Sequence, residues 1–196
     1  MNVEIRRACR GDGGAVAELL YSSGVEMYDF VFGRSAVEKL RHEFLSGMGF
    51  AGHPNVTVAV RRGHVVGTAC LFDSKQYERL VSETTRATFA FFGPLLGLGP
   101  IWRSRYAAAV LTGPTDGELY LSNFSVAADL RGRGIGTRML HHALDSARIQ
   151  GCRRFGLDVL VSNPRAEALY SRLGMTAATE RRRIGIPPVR KMEMAL

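Results

Sequence analysis

The sequence predicts an α/β fold built on a mixed, mostly antiparallel sheet with flanking helices, and three observations carry that prediction. Runs in the first third of the chain alternate apolar and polar residues. Two later apolar runs are separated by helical patterns instead of tight turns. The tail then returns to alternation. A hydrophobic fraction of 46% supports a full core, and the 22% of charged residues are interspersed, which excludes a disordered chain. No Pro/Gly/Ser-rich linker divides the 196 residues, so one domain is expected over 1–196.

Each element has its own signal. Residues 3–8 read as a short strand, and Asp12 stands where it can cap a helix with Val16, Leu19 and Leu20 at helical spacing. The helical pattern continues in two pieces to Phe32. Ser35, with Glu38 three residues on, has the form of a capping box ahead of the stripe Val37, Leu40, Phe44 and Leu45. The period then changes: NVTVAVRR at 55–62 and HVVGTACLF at 64–72 alternate around a turn, which is a hairpin. A strand at 118–126, a helix at 134–151 ending on Gly151 and a strand at 154–161 follow. NPRAEALYSRLG at 163–174 is a short helix with Pro164 in its first turn and Gly174 past its end, and the tail closes as an antiparallel pair.

Residues 74–117 separate the third and fourth strands by more than a normal loop and are expected to form a helical insertion. The apolar part, from Ala87 to Trp102, is about 16 residues interrupted by Gly93, Pro94, Gly97, Gly99 and Pro100, short of the roughly 20 that span a bilayer. No transmembrane segment is expected. The insertion reads as a flap on the core, an acceptor-pocket wall, a homodimer face or a membrane-touching patch.

A net charge of +8, carried mainly by arginine, suits a polyanionic partner. The arginines fall in short separate clusters with no basic tract interleaved with aromatics, so nucleic acid is not the expected partner. Cys9, Cys70 and Cys152 are far apart and odd in number, which supports neither a disulfide framework nor a metal site. With no apolar leader pattern in MNVEIRRACRGDGG, a reducing, cytoplasmic setting is expected.

The chemistry concentrates in SVAADLRGRGIGTRML, where a strand ends near Val126, a Gly-rich turn follows and a helix starts near Gly134. Glycines let the backbone approach a phosphate, and the free amides and dipole of a helix N-terminus favour an anion; Arg131 and Arg133 add positive charge. Gly132, Gly134 and Gly136 give GxGxG, not the GxGxxG of dinucleotide-binding folds, and no Walker string occurs. Near the N-terminus, Glu26 and Asp29 lie in GVEMYDFVFG, where they can attract a cationic amine, among apolar residues that also suit a core.

Arg131, Gly134 and Gly136 give the turn Arg-x-x-Gly-x-Gly, and LDVLVSNPRAEALYSRLGM follows with Asn163, Ala166, Leu169, Tyr170, Gly174 and Met175 at matching positions. In these two motifs the chain resembles the GNAT superfamily of acetyl-CoA-dependent N-acetyltransferases. The resemblance is specific from Leu119 to Met175, and the insertion has no counterpart in the minimal family core. It implies a sheet whose central strands splay around acyl-CoA, with the backbone of Phe124, Ser125 and Val126 along the pantetheine arm. The pyrophosphate would rest on the amides of Arg131, Gly132, Arg133, Gly134, Ile135, Gly136 and Thr137. Asn163 would bond near the pantetheine, and Tyr170 would stand beside the cofactor sulfur as general acid.

Two departures matter. Ala128 stands where many members have Pro, and the mid-strand Glu of many members is replaced by Tyr120, with Glu118 two residues away on the same face. The proton of the attacking amine is therefore expected to leave to Glu118 or through water near Tyr120 and Ser122. The implied partners are acetyl-CoA and an amine acceptor. A non-catalytic acyl-CoA sensor and a basic nucleic-acid-binding protein are the rival readings, and no metal is expected.

Overall fold

The computed structural model describes residues 3–196; Met1 and Asn2, the first residues of the N-terminal segment read above, lie outside the described residues. Among the described residues seven strands form one sheet in the order β1-β2-β3-β4-β5-β7-β6. They are β1 (Glu4–Arg7), β2 (Val56–Arg61), β3 (His64–Phe72), β4 (Glu118–Val126), β5 (Arg154–Leu160), β6 (Thr176–Arg183) and β7 (Ile186–Ala195). All neighbours pair antiparallel except β4 and β5, which are parallel and joined by a helical crossover.

The helices are α1 (Gly13–Ser22), α2 (Val25–Phe32), α3 (Ala36–Ser46), α4 (Ser74–Phe92), α5 (Leu98–Ala108), α6 (Ile135–Ile149) and α7 (Pro164–Arg172). Strand alternation divides the core between two faces. Val56, Val58 and Val60 of β2 pack with Val16, Leu20, Leu40 and Phe44 of α1 and α3, whereas Ala59 joins Ile135, Met139, Leu140 and Ala143 of α6. A Cβ on Gly67 would stand 2.8 Å from Met139 Sδ, so this glycine is what lets α6 lie close on β3.

Two expected caps act differently. Ser35 makes no side-chain cap bond because a short 3₁₀ turn over residues 33–35 leads directly into α3, and Glu38 pairs with Arg41 instead. The Asp12 carboxylate turns back to Arg6 and to the Cys9 amide at 2.8 Å, stapling β1 to the start of α1.

The insertion is a helical hairpin, α4 and α5, turned by residues 93–97. Asp73 caps α4 through the Gln76 amide at 2.8 Å, and the Gln76 side chain accepts from the Asp73 amide in return. The hairpin is locked onto α2 and α3. Phe92 stacks on Phe32 and Tyr106 meets Phe30, while Thr84 Oγ1 donates to the buried Glu43 at 2.8 Å.

Candidate functional site

The site begins where β4 and β5 part. They pair only from Glu118–Arg154 to Leu121–Leu157 and then diverge, so the edge of β4 that faces β5 has no strand partner beyond Leu121. A bulge accentuates the fork: Thr68 opposes Ser125 and Cys70 opposes Ser122, leaving one extra residue on β4. Asn123 there takes φ +51°, which a non-glycine residue adopts only when its surroundings hold it. Tyr28 Oη donates to its side-chain oxygen at 2.7 Å, and Thr68 Oγ1 donates to its carbonyl at 3.2 Å.

The fork opens into a cavity of about 1140 Å³, enough for a long ligand arm and a second molecule beside it. One end is the Gly-rich turn. Gly132 and Gly134 take φ +75° and +80°, and Gly134 sits at the N-cap of α6 with no side-chain cap, so the first-turn amides stay open. Arg131, Gly132, Gly134, Ile135, Gly136 and Thr137 line this end. The Arg131 side chain is anchored, its Nε donating to the Val126 carbonyl at 2.9 Å, and Arg133 is exposed and does not line the cavity. Phe124, Ser125 and Val126 line the middle, with Ser125 Oγ 2.6 Å from Ser22 Oγ. Asn163 caps α7 by accepting from the Ala166 amide at 3.1 Å, which leaves its amide nitrogen for other partners.

Tyr170 is buried, faces the cavity beside Phe124 and is perturbed by burial alone, which holds its hydroxyl protonated above the ordinary tyrosine range. Tyr120 lies across the fork. Its hydroxyl donates to Asp158 Oδ2 at 2.6 Å, and burial followed by the Asp158 charge raises its pKa well above the usual value. Asp158 also accepts from the Thr112 amide at 2.6 Å and from Thr112 Oγ1 at 2.9 Å. Three of its roughly four acceptor positions are thus taken, which leaves one on a carboxylate that lines the cavity.

Three sequence expectations change. Glu118 does not line the cavity: it is 1% exposed at the paired end of β4, with Lys191 Nζ 2.6 Å from Oε1 and the Thr115 amide and hydroxyl on Oε2. The Lys191 approach is an ion pair without hydrogen-bond angles, so both Glu118 oxygens are engaged away from the cavity. Glu26 and Asp29 also lie off the cavity, exposed on the outer side of α2 and bonded to Ser162 and Tyr21. The inner side of α2 presents Met27, Tyr28, Val31 and Phe32 instead.

Asp158 escaped notice in the sequence, although a carboxylate inside the otherwise apolar run FGLDVLV was its signal. The buried ion pair Lys39–Glu43 on α3, which also lines the cavity, carried only an ordinary i,i+4 spacing.

The profile of the acetyltransferase (GNAT) family matches residues 20–175, from α1 through the end of the fork. The chain belongs to the acetyltransferase (GNAT) family. The ribosomal protein bS18-alanine N-acetyltransferase of Salmonella typhimurium is 38% identical over 78 residues, 40% of this chain and 53% of that protein. The thialysine N-epsilon-acetyltransferase of Sus scrofa is 36% identical over 66 residues, 34% of this chain and 39% of that protein. The match thus spans about half the length, or less, of these curated relatives. An N-acetyltransferase from Staphylococcus aureus Mu50 shares the fold with a TM-score of 0.72 at 18% identity, over 97% of this chain and 100% of that one. The splayed sheet and flanking helices are therefore those of GNAT acetyltransferases. Among the described residues no helix is long and apolar enough to cross a membrane.

Proposed function

We propose that the chain transfers an acetyl group from acetyl-CoA to a primary amine by direct attack. The observation that carries this reading is one continuous cavity running from the open amides of α6, along the unpaired edge of β4, to Tyr170 and Asp158. When bound, acetyl-CoA supplies the thioester whose carbonyl carbon the amine attacks. The residues present fit such a group: uncapped amides for a pyrophosphate, a free strand edge for an amide-bearing arm, and a buried hydroxyl at the end. Family membership and two relatives named for acetylating amines support the same reading.

The roles follow from proton traffic. An alkyl amine arrives protonated at neutral pH and must shed a proton to become a nucleophile. Asp158, with one open acceptor position and Tyr120 fixing its orientation, takes that proton. Amides on the free edge of β4 near Asn123 and Phe124 face the developing oxyanion. Tyr170, whose hydroxyl stays protonated, returns a proton to the leaving sulfur. Direct attack is favoured over an acyl-cysteine route because Cys70 is buried off the cavity with its thiol pushed up to about 12, and neither Cys9 nor Cys152 lines the cavity.

Tyr170→Phe tests the mechanism, since it keeps the ring and deletes the donor. The turnover number should fall by about 10² to 10⁴, with acetyl-CoA affinity by calorimetry and melting temperature little changed. Wild-type turnover, with chemistry confirmed as the slow step, would remove Tyr170 from the mechanism.

A further inference from the structure

The acceptor half of the cavity differs in character from the cofactor half. Four rings form a continuous wall: Phe50 lies 5.0 Å from Phe72 and 5.6 Å from Tyr77, Phe72 lies 6.0 Å from Tyr77, and Phe72 lies 5.4 Å from Tyr120. All four line the cavity, and the wall ends at Asp158 through the Tyr120 hydrogen bond. Tyr28 and Phe32 of α2 face the same space.

The charged groups here are largely spoken for. Lys39 and Glu43 neutralise each other, and Glu43 Oε1 also accepts from Thr84 and from the Ala51 amide. Beside the exposed Arg105 on α5, the chamber offers a ligand mainly apolar and π surface, with the Asp158 carboxylate at one end. Such a surface attracts an ammonium group on an aromatic or apolar body.

Two packed seams flank the chamber. On the side toward β7 the chamber is closed by one apolar cluster in which Val31 and Phe32 of α2 meet Ala107 of α5, Val110, and Ile186 and Val189 of β7. On the opposite side α4 is fastened to the α3–β2 connection: Gly49 donates to Glu83 at 2.9 Å and Phe50 to Thr84 at 3.1 Å.

We infer that the acceptor is an arylalkylamine, a compact primary amine on a short linker to an aromatic body, seated in the chamber that the α4–α5 insertion completes. This rests on the acetyl-transfer reading above. In the bound arrangement the ring packs against Phe50, Phe72 and Tyr77, and the nitrogen reaches the open acceptor position of Asp158. The ammonium gives one proton to Asp158, the neutral nitrogen attacks the thioester carbonyl carbon, the C–S bond breaks as Tyr170 gives its proton to the sulfur, and the second proton lost from nitrogen restores the Tyr170 hydroxyl. The products are an N-acetyl arylalkylamine and free CoA.

The test measures CoA release by the full chain with acetyl-CoA and three probes: phenethylamine, spermidine, and a hexapeptide with N-terminal alanine. Phenethylamine should show the highest kcat/KM. Tyr77→Ala should raise its KM by about 10- to 200-fold, the range for losing part of an apolar pocket. Thr85→Trp, on a partly exposed position of α4 that lines the chamber, should raise KM by filling it in a variant whose core is untouched. Acetyl-CoA affinity by calorimetry should stay at the wild-type value in both. Preferred turnover of the hexapeptide or spermidine, or no turnover of phenethylamine while acetyl-CoA still binds, overturns the acceptor class and leaves the acetyl-transfer reading standing. Failure to bind acetyl-CoA at all overturns that reading instead.

Discussion

Glu118 and Asp158 are both carboxylates on the central strands, and their partners separate their roles. Glu118 is sealed where β4 and β5 still pair, against Lys191 from β7, and a Cβ added to the neighbouring Gly156 would collide with its Oε1. Glu118→Gln should therefore act on stability: removing one partner of a buried ion pair costs roughly 3–5 kcal/mol, readable in chemical denaturation, while kcat per folded molecule stays near wild type. Asp158→Asn should do the reverse, lowering kcat by about 10² to 10⁴ with a smaller stability loss. An unchanged denaturation midpoint together with a collapsed kcat in Glu118→Gln would return the base role to Glu118. Strand alternation correctly put Glu118 and Tyr120 on one face, and Lys191 Nζ does lie over the Tyr120 ring at 5.2 Å. Alternation carries no depth, however, and the partner that buries Glu118 is a residue of β7 far along the chain. Asp158 became legible only when the fold brought Thr112 and Tyr120 to it.

Among the elements, the turn into α6 was the most legible because its constraint is local: glycines at positive φ, then an uncapped helix start. A Cβ at Gly134 would meet nothing within 4 Å, so substitution acts by forcing a side chain into a left-handed backbone and into the cavity mouth, not by a clash within the protein. Gly134→Val should weaken acetyl-CoA binding at least about 10-fold by calorimetry, with a stability loss of about 1–2 kcal/mol for the strained conformation. Binding at wild-type strength would remove this turn from the cofactor site. The β4 bulge and the role of the insertion were not legible. The bulge depends on Tyr28 and Thr68 holding Asn123, and the amphipathic pattern of α4 does not say what its apolar side covers. In the fold the insertion completes two polar clusters, through Thr84 on the buried Glu43 and Thr112 on the half-buried Asp158. Replacing residues 76–114 by a Gly/Ser linker should accordingly keep the α6 turn and acetyl-CoA binding but abolish amine turnover and lower the melting temperature. Wild-type turnover in that variant would reduce the hairpin to a cover.

At the scale of the whole molecule, a fork that shelters protonated hydroxyls makes the fold sensitive to base. Burial raises the pKa values of Tyr28, Tyr120 and Tyr170, and it raises the Cys70 thiol from 9.0 to about 12. Below pH 9 all four groups carry their protons in folded and unfolded chains alike, so the full stability is present. As pH rises past 9 the unfolded chain releases the Cys70 proton while the folded chain keeps it, and above 10 the three tyrosines follow. The folded state then binds more protons than the unfolded state, and stability falls with pH by up to about 1.4 kcal/mol per unit for each such group. Two units of rise therefore compete with a total stability of about 5–15 kcal/mol. Denaturant midpoints measured at pH 7, 8, 9, 10 and 11 should be level to pH 9, decline gently to 10 and drop steeply beyond. Cys70→Ala should flatten the segment between 9 and 10 and leave the steep part, and Tyr170→Phe should soften the steep part. A midpoint level from pH 8 to 11 would mean that these hydroxyls ionise in the folded chain, and it would take away the burial that makes Tyr170 a standing proton donor.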